Sequence, residues 1–200
     1  MKEEKPKKRR DLHSRSYRRY FRGHEELGHL DEKGRVHIER VYHGKWIVQT
    51  LPRAARIRER ITLALLYALA AAAFVAAALR GAPGNRSWYV SAAHVLSFAL
   101  LAWTLSGLFN YLNDSERMTE GEYRCGAARF RLGCLLSAGA LGLCVLLYLL
   151  CAALLSADRG AHLLCAALCL GGALALLLAR RIDAAVPFET VGEEELSLTK

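Results

Sequence analysis

The chain has 200 residues, six cysteines and a formal net charge of +9. Its apolar residues are grouped into long runs without charge, which excludes an ordinary soluble domain built on helical or strand periodicity. Residues 1–60 hold eighteen Lys and Arg against nine Asp and Glu, whereas residues 61–200 balance at ten against ten. The whole positive excess therefore belongs to the N-terminal segment.

Residues 1–51 are predicted to form a basic cytoplasmic segment that is partly disordered. Helix-like spacing from Leu12 to Leu27 places aromatic side chains on one side among arginines and predicts an amphipathic helix. Such a segment binds anionic lipid headgroups or a cytosolic partner, here through Arg15, Arg18, Arg19, Arg22 and Trp46. The alternative is a solvated tail that only helps to fix topology. A Lys/Arg cluster is too unspecific to indicate nucleic acid, so none is predicted as a partner.

The second half of the N-terminal segment is rich in β-forming residues. Val36–Tyr42 and Lys45–Leu51 lie on either side of His43 and Gly44, and this pattern predicts a short β-hairpin. Four histidines fall in or near it, at positions 24, 29, 37 and 43. Their spacing matches no common zinc pattern, so neither a metal nor another cofactor is predicted.

Four charge-free runs follow and predict membrane spans at about 61–79, 88–112, 132–155 and 161–179. Even the shortest, with 19 residues, covers the hydrocarbon thickness of about 30 Å as a helix. The predicted fold class is all-α, a polytopic membrane protein whose four helices form an antiparallel bundle over residues 52–181. Residues 182–200 are predicted to be a mobile acidic tail.

Local signals place the ends of two of these helices. Pro52 suits the first position of a helix, and the arginines after it lead into the first span without a break, which predicts one continuous helix. Thr119 and Glu122 have the spacing of a capping box, so the third helix is expected to begin well before its apolar core.

The distribution of basic residues predicts the orientation. If both termini and the 113–131 connection lie on one side, that side carries twenty-five Lys and Arg, against three in the two short loops. Cytoplasmic segments are enriched in Lys and Arg. Both termini are therefore predicted to face the cytoplasm, and the richness in Ala, Leu and Arg favours a bacterial inner membrane.

Polar residues on the second span form one candidate site. His94, Ser97 and Thr104 fall close to one helical face, and an ionisable side chain inside a span suggests function by default. A polar path for a small solute is one interpretation. Hydrogen bonding to a neighbouring helix explains the same residues, and the predicted cores hold no Asp, Glu, Lys or Arg to carry ions.

Cysteines form a second candidate. Cys151 on the third span and Cys165 on the fourth are both predicted near the outer leaflet, where a pair of thiols would suit a membrane thiol oxidoreductase. No basic neighbour is present to lower the pKa of either thiol. Cysteine is also a small apolar residue that fills tight helix contacts, and we favour that interpretation.

The clearest pattern is steric. Small residues recur every four positions on the fourth span, and such ridges let helix backbones approach closely in lipid. They predict packing within the bundle, or association with a second copy or a larger membrane complex, through Ala167, Gly171, Ala175 and Ala179. Since no motif carries a recognisable reaction, the predicted function is that of a non-enzymatic accessory or scaffold subunit.

Overall fold

A computed structural model of the chain describes residues 24–30, 36–42, 44–154 and 158–192. Four long helices dominate it: α1 (Arg53–Leu79), α2 (Trp88–Asn113), α3 (Glu120–Leu154) and α4 (Arg159–Ala184). Each is long and apolar enough to cross a membrane by its length and composition. The prediction of four long apolar helices is therefore confirmed.

The helix ends follow the local signals. Pro52 immediately precedes α1, which runs without interruption from Arg53 through the first apolar run. At the start of α3, Thr119 Oγ1 accepts a hydrogen bond from Glu122 N at 3.3 Å, and Glu122 Oε2 accepts one from Thr119 N at 2.7 Å. The predicted capping box and the early start of the third helix are both confirmed.

The helices pack in the spatial order α1, α4, α3, α2, and α1 and α2 make far less contact with each other than the other adjacent pairs do. Small side chains fill the close contacts, among them Ala70 of α1, Cys134 and Ala138 of α3 and Ala179 of α4. The wider gap between α1 and α2 is bridged by long side chains instead. Tyr67 of α1, for example, donates a hydrogen bond to the carbonyl oxygen of Leu101 at 2.9 Å.

Large apolar side chains lie on the outside of all four helices. Leu65, Phe98 and Leu154 are 65%, 65% and 74% exposed, and each helix carries several others like them. Soluble proteins rarely expose contiguous apolar surface of more than a few hundred Å². The described helices thus have small residues inside and large apolar residues outside, which is unlike the usual interior of a soluble bundle.

Two small sheets accompany the helices in the part of the chain that the structure describes. β1 (His24–Leu30) and β2 (Val36–Tyr42) pair as an antiparallel hairpin with His24 opposite Tyr42 and Leu30 opposite Val36. β3 (Trp46–Gln49) is the central strand of a second sheet, between β4 (Arg117–Met118) and β5 (Phe188–Val191). Ile47 pairs with Met118 on one side and with Thr190 on the other.

The predicted hairpin between 36–42 and 45–51 is wrong, because β2 pairs with β1 and β3 pairs with β4 and β5. Residues 24–27 are likewise part of a strand rather than of the predicted amphipathic helix. The partners of β3 are distant in sequence, and β4 has only two residues. The alternation of apolar and polar residues along the chain therefore could not predict which strands pair in this sheet.

The C-terminal prediction also needs correction. Helix α4 continues to Ala184 and β5 occupies Phe188–Val191, so much of the segment predicted as a mobile tail has regular structure. The three-stranded sheet joins the start of α1 to the ends of α2 and α4. We call this the sheet end, and the opposite end, with the Arg80–Ser87 connection, the loop end.

Candidate functional site

Two clusters of buried polar side chains lie at the two ends of the helices, and a third group lies in the contact between α2 and α3. At the loop end the hub is the hydroxyl of Tyr148, which lies 2.9 Å from Nε2 of His94 and donates to Oδ1 of Asn85 at 2.6 Å. Asn85 Nδ2 donates in turn to the carbonyl oxygen of Arg80 at 2.6 Å. The network therefore ties α2 and α3 to the carbonyl end of α1, whose last carbonyls lack helical partners.

A second imidazole lies beside this network. His162, at the start of α4, is fully buried, and its ring centre is 6.4 Å from that of Tyr148. Neither ring nitrogen has a hydrogen-bond partner within the described residues. A Cβ on Gly84 would lie only 2.7 Å from His162 Cε1, so the loop needs glycine here in order to cover the ring.

Two thiols complete what we call the loop-end cluster. The sulfur of Cys151 lies 3.7 Å from the hydroxyl of Tyr89, and Cys165 donates to the carbonyl oxygen of Ala77 at 3.6 Å. Both are buried free thiols. The predicted pair is thus placed at one end of the molecule, with a different partner for each sulfur. The cluster comprises Asn85, His94, Tyr148, Cys151, His162 and Cys165.

Removing the hub of the loop-end cluster should destabilise the helices. Tyr148→Phe deletes the hydroxyl and leaves Nε2 of His94 and Oδ1 of Asn85 without it. Loss of a partner by a buried polar group costs about 1–3 kcal/mol. We expect a decrease of that size in the free energy of unfolding, measured in mild detergent. Tyr89→Phe, which removes only the weak contact to sulfur, is the control and should change it by less than about 0.5 kcal/mol.

The sheet end has its own buried polar group. Gln49 of β3 is 1% exposed, and its Nε2 lies 3.5 Å from both Oε2 of Glu59 and the hydroxyl of Tyr111. Tyr111 donates to Oε1 of Glu59 at 3.2 Å. These three residues come from the sheet, α1 and α2. Their hydrogen bonds fasten the central strand to the helices.

An ion pair secures the other side of the sheet end. Arg131 of α3 pairs through Nε with the fully buried Asp183 of α4, and its NH2 group donates to the Asp183 carbonyl oxygen at 2.8 Å. The guanidinium also lies 5.4 Å from the ring centre of Phe188 in β5. Arg131 thereby supplies the cation that this buried carboxylate needs.

A second arginine, Arg60, binds the carbonyl oxygens at the end of α2. Arg60 donates through its two terminal nitrogens to the carbonyl oxygens of Leu112 at 3.1 Å and Asp114 at 2.8 Å. These carbonyls lie where α2 stops and have no helical partner of their own. Arg60 therefore links α1 to the end of α2 and places positive charge where the helix dipole favours it.

The predicted polar face of α2 lies in the contact with α3. Ser97 is fully buried 3.5 Å from the sulfur of Cys144, and Thr104 lies 2.9 Å from the hydroxyl of Ser137. Thr104 also donates to the carbonyl oxygen of Leu100 at 2.7 Å. The two hydroxyls and the imidazole of His94 are thus engaged in contacts between helices.

Only two of the four residues in the predicted small-residue ridge are buried in the structure. Ala175 and Ala179 are buried at 6% and 0% exposure. Ala167 and Gly171 are exposed, and a Cβ on Gly171 would meet no atom within 4 Å. The glycine in close contact is its neighbour, Gly172, where a Cβ would lie 3.2 Å from the carbonyl oxygen of Ala70. Half of the ridge therefore packs internally and half faces outward.

The predicted lipid-binding residues are only partly described. Arg15, Arg18, Arg19 and Arg22 lie outside the described residues. Trp46 is in β3, where its ring meets that of Tyr42 edge to face at 5.0 Å between centres. Tyr42 donates to the carbonyl oxygen of Lys45 at 2.9 Å. Trp46 thus belongs to the packing at the junction of the two sheets.

Sequence reasoning missed several members of these clusters. His162 is the second residue of the predicted span 161–179, but only His94 was identified as an ionisable residue well inside a span. Asp183 and Phe188 fall in the segment predicted as a tail. Asp183 lies two positions after the pair Arg180 and Arg181, and this clustering of opposite charges is a local signal for an ion pair. It does not identify Arg131, 52 positions away, as the partner.

The clusters do not have the composition of a metal centre with three or more ligands. Within the described part of the chain, no group of three or more His, Cys, Asp or Glu side chains is placed to hold a metal ion. Comparison with known proteins finds no matching family model, no matching curated protein and no matching solved structure.

Proposed function

We propose that this chain is a multi-pass protein of a bacterial inner membrane and serves as a non-enzymatic accessory or scaffold subunit. In this proposal the four helices cross the bilayer in an antiparallel bundle. The large apolar side chains on the outer faces support it, because lipid covers them at no cost, whereas water would not. The small residues in the helix contacts support it as well, since they are typical of helix packing in lipid.

The observation that carries the proposed topology is the three-stranded sheet. Its strands come from the segment before α1, from the connection between α2 and α3, and from the segment after α4. An even number of crossings separates these segments, so all three belong on the same side of a membrane. The excess of Lys and Arg on that side supports a cytoplasmic location for the sheet end and both termini in this proposal.

The sheet end then forms a fixed platform at the cytoplasmic surface. Gln49, Glu59 and Tyr111 bind the central strand to the helices, and Arg131 connects α3 to α4 and β5. The β1–β2 hairpin and the basic residues before it continue from this platform. In our proposal these basic residues bind anionic lipid headgroups of the cytoplasmic leaflet. Exposed Ala167 and Gly171 leave room for a second copy or a larger membrane complex.

Lipid binding by the N-terminal segment can be tested by protease protection. The full chain is reconstituted in nanodiscs of zwitterionic lipid, with or without anionic lipid, and digested with chymotrypsin, which cleaves after Tyr17, Tyr20 and Phe21. Each arginine near an anionic surface contributes about 1 kcal/mol, so four contribute about 4 kcal/mol. We expect cleavage to be at least tenfold slower on anionic lipid, and this protection to vanish at high salt.

The matched control replaces Arg15, Arg18, Arg19 and Arg22 with glutamine and leaves the cleavage sites intact. This variant should lose much of the protection on anionic lipid, and the six Lys and Arg that precede Arg15 should account for what remains. Equal rates for the unmodified protein on both lipids would show that the segment is a solvated tail or binds a cytosolic partner instead. The deletion of residues 1–51 is not a suitable control, because it removes β3 and with it the buried Gln49.

Neither of the two rival functions has a specific contact in its favour. A solute path along His94, Ser97 and Thr104 would need free polar groups, but these side chains are hydrogen-bonded between helices. A thiol oxidoreductase would need Cys151 and Cys165 to react with each other, whereas each sulfur has a different neighbour. We therefore retain the scaffold as the proposed function.

A further inference from the structure

The loop-end cluster contains a thiol and an imidazole that the scaffold function does not use. Cys151 lies in the last turn of α3, and His162 lies in the first turn of α4, eleven positions later in the chain. The two helices pack side by side, which brings both residues to the same end of the molecule. Cys151 is 2% exposed and His162 is 0% exposed. Both side chains are therefore closed off from their surroundings.

The imidazole of His162 lacks the hydrogen bonds that a buried ring normally makes. Neither Nδ1 nor Nε2 has a partner within the described residues. The hydroxyl of Tyr148, whose ring lies beside it, is used by Asn85 and His94 instead. A buried polar group without a partner costs about 1–3 kcal/mol, so each such group in a folded protein calls for an explanation. A neutral imidazole nitrogen with a free lone pair is the commonest metal ligand in proteins.

Gly84, in the loop that covers the cluster, brings the thiol and the imidazole to one place. A Cβ on this glycine would lie 3.2 Å from Sγ of Cys151 and 3.2 Å from Nδ1 of His162. The sulfur and the nitrogen therefore border the same small space. The sulfur has a long contact of 3.7 Å with the hydroxyl of Tyr89. One sulfur donor and one nitrogen donor thus meet in a buried space that suits an ion rather than an organic molecule.

We propose that Cys151 and His162 bind a soft monovalent metal ion, Cu(I). Thiolates select Cu(I), and imidazole is a good ligand for copper as well. Cu(I) is stable with two ligands in a linear arrangement, so one cysteine and one histidine are sufficient. Zinc needs three or four protein ligands. Within the described residues no three suitable side chains lie together, which disfavours zinc at this site.

The balance of charge also favours a monovalent ion. When Cu(I) binds, it replaces the thiol proton of Cys151, which leaves to the solvent, and the oxidation state of the metal does not change. Thiolate and Cu(I) together carry no net charge. A divalent ion on the same two ligands would leave a positive charge in a buried place, which is costly. The lone pair of His162 then has a partner.

Cys165 belongs to the same cluster but is not assigned as a ligand. It lies one helical turn after His162 in α4, and its thiol donates to the carbonyl oxygen of Ala77 at 3.6 Å. It is as deeply buried as Cys151. Cys165 is therefore the matched control for Cys151. The assignment of the metal site depends neither on the orientation of the chain in a membrane nor on the scaffold function.

Copper binding is measured by competition with a chelator. The full chain with Cys125→Ser is the reference, because this change removes the one thiol that is not buried. The protein in mild detergent is titrated with Cu(I) under argon, in the presence of ascorbate and bicinchoninate, whose Cu(I) complex is coloured. We expect each chain to withhold one Cu(I) from the chelator. Ag(I) should displace this copper, and Zn(II) at the same concentration should not.

Substitutions in the reference chain connect the binding to the two residues. Cys151→Ser and His162→Phe each remove one ligand and should weaken Cu(I) binding at least tenfold. Cys165→Ser keeps both ligands and should change the affinity less than threefold. Phenylalanine keeps a planar ring, and His162 has no hydrogen bond within the described residues to lose, so this variant should fold.

Unfolding by SDS gives a second measurement that does not use the chelator. Saturating Cu(I) should raise the SDS concentration needed to unfold the reference chain, since a ligand that binds the folded state more tightly stabilises it. It should leave both ligand variants unchanged. Without copper, His162→Phe should unfold at the same SDS concentration as the reference or at a higher one. The proposal is overturned if the reference withholds no copper, if both ligand variants keep full affinity, or if Cys165→Ser loses as much affinity as Cys151→Ser.

Discussion

Arg131→Met is expected to lower the free energy of unfolding by about 3–5 kcal/mol, because it leaves the buried carboxylate of Asp183 without its cation. Asp183 has no exposed surface, and Oδ1 already has no hydrogen-bond partner within the described residues. Methionine keeps the length of the arginine stem, so the loss of charge dominates the change. Unfolding of the full chain by SDS titration from mild detergent measures the effect.

Arg129→Met is the matched control for this substitution. Arg129 lies two positions earlier in α3, and among the described residues its guanidinium reaches only the sulfur of Cys125, at 4.0 Å. We expect a change of less than about 1 kcal/mol for this variant. A loss of similar size in both variants would show that the arginines contribute through their stems rather than through the pair with Asp183.

The double variant Arg131→Met with Asp183→Asn tests the charge argument directly. Removing both charges should recover most of the stability, since the penalty of the single variant comes from one uncompensated ion. The pH dependence has a defined sign. The penalty of the single variant should be small at low pH, where the carboxyl group is protonated, and should increase as the pH rises and the carboxyl group ionises.

Gly172→Leu is expected to cost about 3 kcal/mol, because the side chain would enter the contact of α4 with α1 and α3. A Cβ at this position already lies 3.2 Å from both the carbonyl oxygen of Ala70 and Cδ1 of Leu141. Overpacking of this kind displaces whole helices rather than single side chains. The same unfolding titration in detergent measures the loss.

Gly171→Leu is the matched control, since it makes the same change at the neighbouring position. A Cβ on Gly171 meets no atom within 4 Å, so the leucine joins an apolar outer surface. Replacing a helical glycine also removes a conformational cost of about 0.5–1 kcal/mol, and the variant should be as stable as the unmodified protein or slightly more stable. Equal losses at both positions would contradict the helix rotation described here.

This glycine pair shows where sequence reasoning reaches its limit. The ridge of Ala167, Gly171, Ala175 and Ala179 correctly indicates that α4 carries small residues for close contacts. Because an α-helix has 3.6 residues per turn, each step of four residues moves the ridge by about 40° around the helix. Which ridge residues are buried therefore depends on how α4 is rotated against α1 and α3. The buried contact therefore passes to Gly172, one position away.

The polar clusters show the same limit. Thr119 and Glu122 are three positions apart, and their capping box follows from local geometry, so spacing alone identifies it. Arg131 and Asp183 are 52 positions apart, and their pairing exists only because α3 and α4 lie side by side. Tyr148, Asn85 and His94 likewise come from three separate parts of the chain.

The sequence alone determined four long apolar helices, the early start of the third, and the concentration of positive charge before the first. These properties depend on run length, local spacing and composition, which act over a few turns of chain. Only the tertiary structure decided that β3 pairs with two distant strands, that Gly172 rather than Gly171 packs inside, and that Arg131 of α3 pairs with Asp183 of α4. Such features arise from the relative rotation and contact of elements far apart in sequence, and no local pattern encodes them.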